Sequence, residues 1–233
     1  MKRNLNQKLI NLIEYYNLNN INLFLSNKPL KRNTNNIKIS YTGTKSEKLK
    51  KLNDSIKLIK NCELKKNAKN IVFGDGNITS KIMIIGEGPG ANEDLEGKPF
   101  VGRAGKLLDK MLEAIQLNRT KVYITNVVNY RPPENRKPSD KEIERYFPYL
   151  KSHIEIINPK ILILLGSTAL NTIIGNEKVI SKARGSWVKK EIGSASPWVI
   201  ATFHPAFLMR QPDQKKFTWI DLKMVREKYK KIA

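Results

Sequence analysis

The sequence has one cysteine, two histidines and about half as many acidic as basic side chains. None of its apolar runs is long enough to cross a membrane. A lone Cys62 excludes an internal disulfide framework and any metal site built only from cysteines of one chain. The longest apolar stretch, Ile161-Leu162-Ile163-Leu164-Leu165, has the length of a strand. The opening Met1-Lys2-Arg3 leads into Asn-rich sequence with neither an apolar core nor a small-residue cleavage site, so no signal peptide and a cytoplasmic location are expected. At 233 residues, the chain is long enough for one well-buried domain with an appendage.

Positive charge is what the sequence has in excess. Lys and Arg number 43 against 21 Asp and Glu, a net charge of +22 with a pI near 10.0. Such a balance favours a polyanionic partner, nucleic acid first. The Lys- and Asn-rich composition of the first 70 residues is also what AT-rich coding sequence produces, so charge by itself names no reaction.

Residues 5–20 carry a helical apolar pattern, 33–44 are polar, and 45–64 form a basic stretch of helical character. Residues 1–60 are therefore expected to be a partly disordered or helical extension, and 61–233 the main domain. From residue 71 the pattern changes to apolar runs at 81–86, 121–128, 160–166 and 198–203. These suit strands buried on both faces. Amphipathic stretches at 103–115, 139–157, 167–174 and 222–230 read as helices, with Ser139 to Glu142 spaced as a capping box. The expectation is an α/β fold, a three-layer α/β/α sandwich around a four-stranded parallel sheet.

In open α/β sheets a ligand sits beyond the carboxyl ends of the strands. After the first run comes Gly86-Glu87-Gly88-Pro89-Gly90, followed by Glu93 and Asp94. The second run carries Asn126, the third opens into Gly166-Ser167-Thr168, and the fourth ends at His204-Pro205. A carboxylate, an amide, two hydroxyls and an imidazole thus converge on one edge. The glycines alternate, unlike a dinucleotide fingerprint, and no Lys-Ser/Thr closes the turn as in a phosphate loop.

These residues resemble the family 4 uracil-DNA glycosylases. The first motif runs from Gly86 through Glu93-Asp94 to Gly97-Lys98-Pro99-Phe100-Val101-Gly102-Arg103-Ala104-Gly105. Asn126-Val127-Val128 with Arg131-Pro132-Pro133 resembles the second, and Leu165-Gly166-Ser167-Thr168-Ala169-Leu170 and His204-Pro205-Ala206 resemble the others. The resemblance implies uracil-containing DNA as substrate, free uracil as product and a monomeric enzyme. It implies Glu87 and His204 as catalytic residues and Gly88, Glu93, Phe100 and Asn126 as uracil-binding residues. Glu93 would crowd C5 against the thymine methyl. Ser167 and Thr168 would contact DNA phosphate, and Phe207-Leu208-Met209-Arg210 resembles the loop that wedges into the duplex, giving Leu208, Met209 and Arg210 as DNA contacts.

The sequence departs from the family at its [4Fe–4S] cluster, which four cysteines usually hold. Cys62 fits the second of these positions, while Ile59, Tyr130 and Tyr146 stand at the others. One thiolate does not ligate a cubane that needs four donors, so no cluster is expected. Residues 131–139 contain no histidine, unlike a related branch that bonds covalently to DNA, so hydrolysis without trapping is expected. The rival reading is a catalytically weak DNA-binding protein on the same scaffold.

Overall fold

Alternating side chains in four consecutively buried runs build the centre of the molecule. A computed structural model describes residues 41–175 and 178–232, so the helix expected at 5–20 lies outside the described residues. Strands β1 (Asp75–Gly76), β2 (Ile82–Gly86), β3 (Tyr123–Asn126), β4 (Ile161–Leu165), β5 (Trp187–Lys189) and β6 (Trp198–Thr202) form one sheet in the order β1-β3-β2-β4-β6-β5. The central four are parallel, as the apolar runs predict. The edge strands β1 and β5 are antiparallel additions of two and three residues. Neither carries an apolar run, so periodicity does not announce them.

A strand turns successive side chains to opposite faces, and here that rule produces the three layers. Met83, Ile85, Tyr123, Leu162 and Leu164 face one core with Leu52, Ile56, Tyr146, Leu150 and Ile154. Ile82, Ile84, Ile124, Ile161 and Ile163 face the other with Leu108, Leu112, Leu222 and Val225. The first core is covered by helices Lys45–Lys57, Asp140–Ile157 and Gly166–Ile174, the second by Arg103–Glu113 and Lys215–Lys230. The last helix starts seven residues ahead of its expected beginning at 222. Among the described residues no helix is long and apolar enough to cross a membrane.

The helix Lys45–Lys57 opens with a capping box in which Thr44 and Glu47 exchange hydrogen bonds. It buries Leu49, Leu52 and Ile56 in the first core. Lys45 Nζ also donates to the carbonyl of Ile157 at 3.0 Å. This part of the segment expected to be an extension is therefore packed into the domain that follows it.

Leu52 is fully buried, so Leu52→Ala should lower the unfolding free energy by about 2–5 kcal/mol. Urea denaturation checks this; a change within about 0.5 kcal/mol, typical of a surface site, would remove the helix from the core.

Candidate active site

Strand register sets the site. Gly86 and Asn126 are paired neighbours, so β2 and β3 end side by side. A Cβ at position 86 would collide with the Asn126 amide oxygen and the Phe100 ring. Glycine therefore lets both side chains close over the end of β2. Around this point lies a cavity of about 180 Å³, lined among others by Glu87, Gly88, Glu93, Phe100, Asn126 and His204. That volume is enough for a small planar heterocycle. A larger groove of about 390 Å³, lined by Leu164, Leu170, Ile174, Val188 and Val199, contains none of these strand-end groups.

Asn126 is 2% exposed, and its Oδ1 has no hydrogen-bond partner. A buried polar atom left alone in this way is costly unless a ligand satisfies it. Phe100 has φ of 55°, a left-handed conformation rare for a bulky residue. Its ring lies 5.6 Å from that of His204, tilted by 31°. His204 caps the helix Pro205–Arg210, its Nδ1 accepting from the N–H of Ala206 at 3.1 Å. That bond fixes the tautomer with the proton on Nε2. Burial first, then the Arg210 charge, lowers the His204 pKa to about 4, against a smaller upward pull from Glu93. The imidazole is thus a neutral donor at ordinary pH.

The Thr168 hydroxyl donates to Glu87 Oε2, tying the carboxylate after β2 to the helix after β4. Expected beside Ser167 at a DNA phosphate, Thr168 is instead 2% exposed and orients Glu87; Ser167 remains exposed at the helix start. The Glu93 carboxylate accepts from the N–H groups of Gly90 (3.1 Å), Val101 (2.9 Å) and Gly102 (2.8 Å). It is a fixed wall rather than a solvated loop charge. Leu208, expected at the tip of a wedge, is 1% exposed in the second core. The residues around it form the short helix Pro205–Arg210, whose fourth residue, Leu208, faces inward, which leaves Met209 half-buried and Arg210 exposed.

Sequence reasoning missed the far wall. Pro132, Asn135, Arg136 and Pro138 line the cavity from the segment after β3. There Glu134 and Asn135 both have positive φ, 55° and 57°, and Asn135 accepts from Arg131 Nε at 2.8 Å. Arg136 grips Glu142 with two hydrogen bonds of 2.8 and 2.7 Å, and this contact above all pushes the Glu142 pKa down to about 2. The capping box that is visible in the sequence therefore also anchors the cavity wall. The available signal was the pairing of Arg136 with the capping glutamate.

At the cluster position, Tyr146 is fully buried and its hydroxyl lies 3.3 Å from Cys62 Sγ. Tyr130 is 5% exposed in the same core, and Ile59 packs against it. A phenol occupying the approach to the one thiol, with no other cysteine in the chain, does not fit a [4Fe–4S] cluster. Among the described residues, no group of three or more His, Cys, Asp or Glu could hold a metal ion.

An α/β sandwich with a small polar cavity at the carboxyl ends of its parallel strands, on a strongly basic chain, defines the class: a parallel-sheet protein with a strand-end ligand site. Residues 73–223 match the family model of the uracil DNA glycosylase superfamily. The chain is 42% identical over 168 residues to a type-4 uracil-DNA glycosylase of Thermotoga maritima, covering 72% of this chain and 86% of that one. It is 41% identical over 189 residues to the type-4 uracil-DNA glycosylase of Sulfurisphaera tokodaii, covering 78% and 84%. The one from Archaeoglobus fulgidus is 40% identical over 170 residues, covering 71% and 85%. The protein belongs to the uracil DNA glycosylase superfamily.

Both histidines of the chain are held neutral by burial, His204 with a pKa of about 4 and His153 of about 3. The unfolded chain takes up these protons near pH 6.5 and the folded chain does not, so stability falls as pH drops below 6.5. The loss should reach on the order of 3 kcal/mol per histidine at pH 4. Denaturant midpoints of the parent and His204→Gln across pH 7 to 4 check this. The variant should have the shallower slope, and equal slopes would refute the shift at His204.

Proposed function

We propose that the protein excises uracil from DNA, hydrolysing the N-glycosidic bond and leaving an abasic site for base-excision repair. The observation that carries the reading is the unpartnered Asn126 Oδ1 in a small cavity that a desolvated, neutral His204 also lines. The target base leaves the stack and enters this cavity. An amide carries both a donor and an acceptor, so Asn126 pairs with uracil O4 and N3–H together and rejects cytosine. Phe100 stacks on the ring, and Glu93, held by the N–H groups of Gly90, Val101 and Gly102, excludes a C5 methyl.

As the bond between C1′ and N1 breaks, its electron pair moves to the base and positive charge remains on the sugar. His204 Nε2–H donates to O2, where the negative charge grows, as an oxyanion hole does in acyl transfer. Glu87, held by Thr168, orients the water that adds to C1′ and stabilises the cationic sugar. The departing water proton ends on uracil, which leaves as the free base. Ser167, Met209 and Arg210 contact DNA alongside the many lysines, giving affinity that falls with salt.

The enzyme works without an iron–sulfur cluster, its place filled by Tyr130, Tyr146 and Ile59 around Cys62. It acts as a cytoplasmic monomer. The glycosylase domain begins with the helix Lys45–Lys57, and the Lys- and Asn-rich segment before it is an extension.

The test is uracil release from a single-uracil oligonucleotide, scored by alkaline strand scission on a preparation assayed to be free of iron. His204→Ala and Glu87→Ala should each lower the rate by roughly 100- to 1000-fold while DNA binding persists. The parent's rate should show no step near pH 6.5, because His204 stays neutral down to about pH 4. An inactive parent that still binds DNA in a salt-sensitive way would overturn the reading in favour of a DNA-binding protein.

A further inference from the structure

We propose that Arg119, outside the cavity, is a positioning residue that sets two of its walls through a single peptide bond. This rests on the uracil reading above. Arg119 follows the helix Arg103–Glu113 and precedes β3. Its guanidinium donates to the carbonyl of Pro99 at 3.0 Å and to the carbonyl of Phe100. Two carboxylates fix it from behind, Asp75 at 2.9 Å from Nη1 and Asp109 at 2.9 Å from Nε.

The peptide that joins Phe100 to Val101 is therefore held at both ends by charged groups. Its carbonyl accepts from Arg119, and its N–H donates to Glu93 at 2.9 Å. Glu93 also takes the N–H of Gly102. The ring that would stack on uracil and the carboxylate that would face C5 are thus coupled to one peptide plane, whose orientation Arg119 sets. Two further features show that this plane is imposed. Phe100 adopts a positive φ that its side chain disfavours, and Gly105 leaves no room for a Cβ against the Phe100 carbonyl. A held geometry of this kind needs a planar fork that reaches several acceptors at once. Lysine presents a point charge on a flexible stem and cannot replace it.

Single-turnover excision of uracil and of 5-bromouracil from the same DNA context measures the effect. Arg119→Lys should slow uracil excision by about ten- to a hundredfold and raise the ratio of 5-bromouracil to uracil excision by about tenfold. Asp109→Asn, which loosens the guanidinium without removing it, should move both quantities the same way by less. In a double-mutant cycle, Arg119→Lys added to Phe100→Ala should cost little beyond Phe100→Ala alone. The control is Arg184→Lys, which disturbs an arginine–aspartate pair outside the cavity; it should lower thermal stability and leave the ratio unchanged.

The inference is overturned if the ratio is unchanged in both Arg119→Lys and Asp109→Asn, or if the cycle is additive. A parent that releases no uracil fails the functional reading instead. The inference is then read from calorimetric binding of free uracil against thymine, where Arg119→Lys must narrow the parent's preference; an unnarrowed preference, or none in the parent, overturns it.

Discussion

The flush ending of β2 and β3 is the constraint on which the site depends. Because Gly86 and Asn126 are paired neighbours, the amide of one strand meets the backbone of the next, with no side chain between them. A slip of one residue would turn Asn126 to the opposite face and bring Thr125 or Val127 to the cavity. The register is secured along the rest of β2 by the alternation of Ile82, Met83, Ile84 and Ile85 between two separate cores. The hydrophobic pattern that folds the sheet is therefore also what aims the polar group at its end.

From that edge outward, most of the polar groups are held by a neighbour, Glu87 and Arg136 by one on a different element and His204 by the helix that it caps. Thr168 after β4 holds Glu87 after β2. The Ala206 N–H holds the imidazole of His204 after β6. Glu142 on a long helix holds Arg136 on the far wall. Little of the cavity is free to relax, which suits a mechanism based on fixed dipoles and donors rather than on movement.

Much of this was legible in the sequence. The four apolar runs appear as the four central strands, and the residues just beyond them do converge. Glu87, Asn126, Phe100 and His204 were readable because each stands in or next to a motif at a strand end. What the sequence hid were relations between distant residues. The side chains of Thr168 and Ser167 are chemically similar, and only burial sends one to Glu87 and leaves the other exposed. Leu208 reads as an exposed wedge because nothing local says that its segment is helical with that face inward. Arg136 and Arg119 look like two more cations in a chain with 43 Lys and Arg, and only their partners distinguish them.

The bond from Lys45 to the carbonyl of Ile157 spans 112 positions of chain, and this has a consequence for how the protein is made. The helix Lys45–Lys57 leaves the ribosome early, but the helix it packs against is complete only after residue 157. β6, which carries His204 at its end, follows later still. Leu49, Leu52 and Ile56 must therefore wait for that helix while about a hundred further residues are made, and the first core closes late. Long-range closure of this kind makes folding slow and leaves apolar surface exposed meanwhile. The lysines that surround those leucines on the same helix keep the waiting segment in solution.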